Sequence, residues 1–130
     1  MDLSCNEIGT IGIFAVAEAI KQSKSPLTTL NVSGNWIGDG GAAALAGAIK
    51  QSTSLTFVDF GKNSIGTAGI SAISEAIKQS KSPLNALDLS SNVLGAFGAS
   101  AIAEAIKQSK SLTSVNLNAT LIDAEGGHRT

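Results

Sequence analysis

A segment that recurs along the chain constrains its fold more than any other feature. EAIKQSKS begins at Glu18, Glu75 and Glu104, and a looser copy, AGAIKQSTS, begins at Ala46. Each copy is followed by a leucine that opens a second similar segment: LTTLNVSGNWI, LTFVDFGKNSI, LNALDLSSNVL and LTSVNLNATLI. These leucines are spaced by 28, 29 and 28 residues. Repeats of this length predict a stack of supersecondary units, each of which buries its apolar face against its neighbours.

Each unit carries two hydrophobic periods in succession. Leu30 and Val32 alternate with polar residues, which indicates a short strand with one buried face. Apolar residues then follow at helical spacing, at Gly41, Leu45, Ala48 and Ile49 and again at Gly69, Ile73, Ala76 and Ile77. Strand and helix in tandem give parallel strands joined by right-handed crossovers. Because strands sit about 4.8 Å apart and helices need about 8–10 Å, the stack must curve with its sheet on the concave side.

Gly38, Gly40 and Gly41 raise the alternative of a nucleotide site, because G-x-G-x-x-A before a helix is typical of a dinucleotide-binding turn. Such a turn follows its strand at once, whereas five residues separate Val32 from Gly38. The Gly38/Gly41 pair also recurs once per repeat, as Gly9/Gly12, Gly66/Gly69 and Gly95/Gly98. We therefore interpret these glycines as packing residues.

The strand segments follow L-x-x-L-x-L-x-x-N-x-L with apolar substitutions. This pattern resembles the leucine-rich repeat family, and the alternating 28/29 period resembles its ribonuclease-inhibitor-like subfamily, which includes the repeat regions of NOD-like receptors. The resemblance implies an α/β right-handed solenoid of four to five repeats, with short parallel strands on the concave side and helices on the convex side. We divide it into a truncated first repeat (1–26), three repeats (27–54, 55–83 and 84–111), an incomplete fifth (112–126) and a tail (127–130).

One column of asparagines runs through the repeats at Asn6, Asn35, Asn63 and Asn92, and Thr120 takes its place in the fifth copy. The family resemblance implies that these side chains point inward and bond backbone groups that the turn leaves unpaired. We expect the column to be structural and to weaken at Thr120.

Composition bounds the function classes. The 130 residues fit one domain, and no apolar stretch approaches about 18 residues, so we expect no membrane span. A lone Cys5 and a start without a secretory signal favour a cytoplasmic location. A net charge of −1 argues against wholesale nucleic-acid binding.

Candidate catalytic groups are scarce, so we expect no enzyme, no cofactor and no metal. The single histidine, His128, lies in the tail, and there is no tyrosine and no phosphate-binding loop. Asp59 and Asp88 occupy equal positions on neighbouring strands. Such a pair can serve acid–base chemistry or a cation, or form a solvated acidic patch, which we favour.

The concave face is where the resembled family binds proteins, and alternation assigns its residues. Phe57 either anchors a partner or covers neighbouring strands, and Trp36 either forms an exposed rim or lies flat across the next turn. The predicted protein-binding residues are Asn31, Trp36, Phe57, Asp59, Lys62, Asp88 and Asn116.

Seven lysines fall at the predicted helix ends: Lys21, Lys24, Lys50, Lys78, Lys81, Lys107 and Lys110. A basic edge of this kind suits an anionic surface, but cations at helix C-termini also meet the helix dipole, and we favour that explanation.

We conclude from the sequence that the chain is a protein-interaction module, a fragment of a larger receptor, sensor or effector-like protein. The alternative is a regulator of an enzyme, such as a GTPase-activating or inhibitor-type repeat protein. Because neither end carries a polar cap, we expect the chain to be either a fragment of a longer protein or a unit that self-associates through its ends, and we favour association.

Overall fold

The computed structural model describes residues 1–23, 26–79, 81, 83–118 and 120. Helices and strands alternate in the order α1 (Gly9–Gln22), β1 (Thr29–Asn31), α2 (Gly38–Gln51), β2 (Phe57–Asp59), α3 (Thr67–Gln79), β3 (Ala86–Asp88), α4 (Gly95–Gln108) and β4 (Ser114–Asn116). The strands form one parallel sheet in chain order. The expected α/β repeat solenoid is confirmed. The fifth repeat after Thr120, the tail with His128, and Lys24 lie outside the described residues.

The core lies between the sheet and the helices and continues from repeat to repeat. The central strand residues Leu30, Val58 and Leu87 are buried, and their outward neighbours are half-buried or exposed. Both predicted helix faces are buried, from Gly41 to Ile49 in α2 and from Gly69 to Ile77 in α3. Among the described helices, none is long and apolar enough to cross a membrane.

The packing interpretation is confirmed for the second glycine of each recurring pair, where the helices begin, at Gly12, Gly41, Gly69 and Gly98. It is wrong for Gly9, Gly38 and Gly95, which have open or ordinary surroundings and instead adopt a left-handed backbone. A Cβ on Gly41 would lie 2.6 Å from the Cβ of Ile37 and 3.3 Å from Cγ2 of Ile13 in the preceding helix. A Cβ on Gly69 would lie 2.6 Å from Cγ2 of Ile65. No side chain fits at these distances, so glycine allows each helix to start directly against the end of its own strand segment.

The asparagine column is a ladder of buried amides that ties each turn to the one before it. The side-chain oxygen of Asn63 accepts hydrogen bonds from the backbone N–H groups of Asn35 (2.8 Å) and Ile37 (3.4 Å). Its amide nitrogen donates to the carbonyls of Val32 (2.9 Å) and Phe60 (3.0 Å). One side chain therefore satisfies backbone groups in two repeats, which is what a chain reversal inside a solenoid requires.

The two ends of the ladder differ from its middle. Asn35 and Asn92 are buried like Asn63, but Asn6 is exposed, which corrects the expectation that all four point inward. Within the described residues, the amide of Asn6 donates only to carbonyls of its own turn, those of Leu3 and Ser4. The Thr120 hydroxyl makes one long hydrogen bond within the described residues, of 3.4 Å to the carbonyl of Leu89, so the ladder weakens there as predicted.

We predict that Asn63→Ala lowers the free energy of unfolding by about 1–3 kcal/mol, because it leaves buried donors and acceptors of two turns unpaired. Asn6→Ala, in the same column but exposed, should cost clearly less. Urea denaturation of both variants followed by circular dichroism measures the difference. Equal losses in the two variants would show that burial of the ladder does not matter.

Candidate functional site

A row of polar side chains crosses the concave face of the sheet. Asn31 pairs with Asp59, Asp59 with Asp88, and Asp88 with Asn116, each directly across neighbouring strands. Asp2 extends the row through a parallel bridge to Asn31. We call these five residues the acidic column. Neighbouring strands lie about 4.8 Å apart, so the carboxylates are close enough to repel one another.

Each member of the column also closes the turn that follows its strand. Oδ1 of Asp59 accepts the backbone N–H of Gly61 at 2.8 Å, and Oδ1 of Asp88 accepts that of Ser90 at 2.9 Å. The second oxygen of Asp88 accepts the side-chain amide of Asn116 at 3.3 Å. These Asx turns explain why either aspartate or asparagine occupies this position in each repeat, since both supply the accepting oxygen. The column is thus structural and also presents charge.

Asp59 carries the most unfavourable charge of the column. Burial raises the pKa of the Asp59 carboxyl, and the charges of Asp88 and Asp2 raise it further, while the hydrogen bond from Gly61 opposes them. The pKa of Asp2 is instead lowered, by hydrogen bonds from the Ser4 hydroxyl and backbone N–H. A cation brought to Asp59 would relieve both the burial cost and the repulsion.

No group of three or more histidine, cysteine, aspartate or glutamate side chains in the part of the chain that the structure describes is placed to hold a metal ion. The interpretation of Asp59 and Asp88 as a solvated acidic patch stays a prediction.

Phe57 lies beside the column at the other outward position of β2. It pairs in register with Thr29 on one side and Ala86 on the other, and it is half-buried. Both neighbours are smaller than a phenyl ring, and part of Phe57 remains accessible from the concave side. Phe57 therefore both covers the strands and offers an apolar contact next to Asp59.

Trp36 and Lys62 mark the rim, where strands lead into helices. Trp36 is 69% exposed, so the indole does not lie flat across the next turn. Both residues have left-handed backbone conformations, with φ of +60° and +55°. An open cavity of about 360 Å³ lies between them, lined by Gly34, Trp36, Lys62, Ser64 and Ser91. We call it the Trp36 cavity.

Other exposed apolar side chains, which were not predicted from the sequence, lie on the convex helices. Ile11 of α1 and Phe97 of α4 are 85% and 83% exposed. The equivalent positions in α2 and α3 hold Gly40 and Ala68. Alignment of the repeats with one another shows a large apolar residue where sister repeats carry a small one, and that signal could have found them.

The predicted basic edge is partly neutralised by its own helices. Lys78 lies 3.4 Å from Glu75, and Lys21 and Lys107 lie 3.9 Å and 4.0 Å from the glutamates three residues earlier. These pairs favour the helix-end explanation of the lysines over a surface for anionic partners.

We predict that Asp59→Asn raises the free energy of unfolding at pH 7 by up to about 1 kcal/mol, because it removes a partly buried charge. The asparagine can still accept the hydrogen bond that closes the turn, as Asn31 does at the equivalent position of β1. The raised pKa of Asp59 means that folded-state stability falls as pH rises from the ordinary value of 3.8 through the folded-state pKa. The gain should therefore vanish below that ordinary value.

Thermal denaturation across pH 3–8 measures this gain. Asn31→Asp is the reverse substitution and serves as the control, since it adds a charge to the acidic column and should lower stability at pH 7. An Asp59→Asn variant less stable than the parent at neutral pH would contradict the repulsion described here.

Comparison with known proteins agrees with this geometry. A family model described as Leucine Rich repeat matches residues 1–17, 23–46, 51–74 and 80–103, which is more than half of the chain. Among solved structures, the chain resembles leiomodin-1 actin-binding site 2, with a TM-score of 0.82 and 20% identity over 90% of this chain and 68% of that one. No curated protein sequence matches it. The chain belongs to the leucine-rich repeat family.

Proposed function

We propose that this chain is a protein-interaction module that binds a protein partner on its concave face, through the acidic column and Phe57. The observation that carries the proposal is the Asp59 carboxylate, which burial and neighbouring charges destabilise, beside the half-buried ring of Phe57 on the same strand. The name of leiomodin-1 actin-binding site 2 supports an interaction role for a solenoid of this shape. Identity of 20% supports the shared fold alone, so actin is a candidate to be tested and not an assignment.

The chemistry of the face selects a partner with a cationic group next to an apolar one. Oδ2 of Asp59 makes no hydrogen bond within the described residues, and the Asp88 carboxylate lies on the neighbouring strand. An arginine fork placed there would relieve the repulsion between the two aspartates and pair with both. Phe57 would pack against the aliphatic stem of that side chain.

A reducing, cytoplasmic setting is part of the proposal. Cys5 is a free and exposed thiol, which suits a compartment where thiols stay reduced.

We expect Phe57→Ala or Asp59→Asn to weaken the binding of a captured partner by about 2 kcal/mol or more, roughly thirtyfold in Kd, as for true interface anchors. The immobilised chain would capture partners from the native host, mass spectrometry would identify them, and calorimetry would measure Kd. Purified actin is tested alongside.

Phe97→Ala is the matched control, because it removes an exposed aromatic ring from the convex side and should leave Kd unchanged. Full affinity in both Phe57→Ala and Asp59→Asn would place the interface elsewhere on the solenoid.

We further propose that two copies of the chain associate through an apolar groove beside α1. This N-terminal groove, of about 430 Å³, is lined mainly by apolar side chains: Met1, Leu3, Val16, Ala19, Ile20, Ser23, Pro26 and Leu27. The next repeat carries Leu45, Ile49 and Leu55 at the positions of Val16, Ile20 and Leu27, and all three are fully buried against the repeat before them. The groove thus fits the apolar edge of another repeat, which a second copy supplies.

Light scattering over a dilution series should show a concentration-dependent rise in mass, and Val16→Lys should abolish it by placing a charge in the groove. Circular dichroism checks that the variant remains folded. A monomer at all concentrations would exclude this contact.

A further inference from the structure

We propose that the Trp36 cavity binds a carboxylate side chain, flanked by an apolar residue, on an extended segment of the protein partner. This inference rests on the proposed function, since it takes the ligand to be a protein. It names a second subsite, on the rim, with chemistry opposite to that of the acidic column.

The cavity presents hydrogen-bond donors that have no partner. Lys62 forms no ion pair within the described residues, and the Trp36 indole N–H and the hydroxyls of Ser64 and Ser91 form no hydrogen bond there. The lysine and indole groups can only donate, and no carboxylate lines the cavity. Such a lining complements an anionic acceptor.

The indole adds an apolar wall beside the cation. At 69% exposure, Trp36 offers most of its ring surface to a ligand, and Gly34 leaves the neighbouring position without a side chain. An aromatic face next to an ammonium group suits an acidic residue that is followed or preceded by an apolar one. A free inorganic anion would leave the indole uncovered.

The asparagine ladder holds this cavity rigid. Asn63 accepts the N–H groups on both sides of Trp36, those of Asn35 at 2.8 Å and Ile37 at 3.4 Å. Asn92 does the same around Ser64, through the N–H groups of Asn63 at 3.0 Å and Ile65 at 2.9 Å. The side chains that line the cavity therefore stand on a fixed backbone, which lowers the ordering cost of binding.

The left-handed conformation of Trp36 belongs to the turn, because the sister repeats place Glu7 and Ser64 in the same conformation. The turn thus does not require tryptophan. What distinguishes Trp36 from these residues is its large and exposed ring.

The two subsites together would orient a partner. The acidic column attracts a cation at the centre of the sheet, and the Trp36 cavity attracts an anion at the rim. A partner segment with its charges in the reverse order would meet repulsion at both positions, which is how charge patterns select among partners.

The chain itself supplies the probe, because Trp36 is its only tryptophan and it contains no tyrosine. Intrinsic fluorescence at tryptophan wavelengths therefore reports this cavity alone. The ligands are three synthetic peptides, acetyl-Gly-Leu-Glu-Leu-Gly-amide and its analogues with Gln or Lys at the centre. We expect a saturable fluorescence change with the Glu peptide and at least tenfold weaker binding of the Gln and Lys peptides.

Variants assign the effect to the cavity. Lys62→Ser should weaken the binding of the Glu peptide at least tenfold. Serine suits this backbone, because Ser91 has the same left-handed conformation at the equivalent position of the next repeat. Lys50→Gln removes an exposed lysine elsewhere and should change nothing. Circular dichroism confirms folding of each variant.

No saturable response up to about 10 mM, or equal binding of the Glu and Gln peptides, would overturn the proposal. Equal competition by inorganic phosphate would overturn the assignment to a peptide carboxylate. If the peptides fail while Phe57→Ala still weakens the captured partner, the Trp36 subsite is wrong and the concave-face function stands.

Discussion

The hydrogen bonds of the buried asparagines are the interaction on which the rest of this structure depends. After each strand the chain must reverse toward a helix, and the reversal leaves backbone groups that cannot pair within their own repeat. The Asn63 side chain alone serves five backbone groups, in two successive repeats. The ladder thereby sets the strand register, the start of each helix and the left-handed residues beside it.

The asparagine ladder also determines where the acidic column and the rim lie on the surface. Strand residues that point away from the core form the acidic column, whose carboxylates close turns with one oxygen. Left-handed residues that flank the ladder project outward and build the rim around Trp36 and Lys62. The outward strand positions hold Asp59 and Asp88, and a left-handed position holds Lys62. The concave face is therefore negative at its centre and positive at its rim.

Much of this was predictable because the repeat supplies internal copies of each position. Alternation correctly assigned the buried residue Leu30 and the outward residue Asp59, and the asparagine column identified the ladder except at Asn6. The Trp36 cavity was not predictable, since it joins residues about 28 positions apart through backbone angles that no single repeat reveals.

A second contact escaped the sequence analysis for the same reason. Oδ1 of Asp39, in the first turn of α2, accepts the backbone N–H groups of Gly66 (2.7 Å) and Gly69 (3.0 Å) at the start of the next helix. This bond between repeats caps a helix whose own sequence offers no acidic residue in its first turn.

Amide hydrogen exchange of the chain, with and without its captured partner, shows whether the concave face and the rim form one interface. We expect slowed amide exchange in residues 33–37 and 57–65 when the partner is bound, with exchange in α1 to α4 unchanged. Slowing confined to the helices would show that the partner binds the convex side instead.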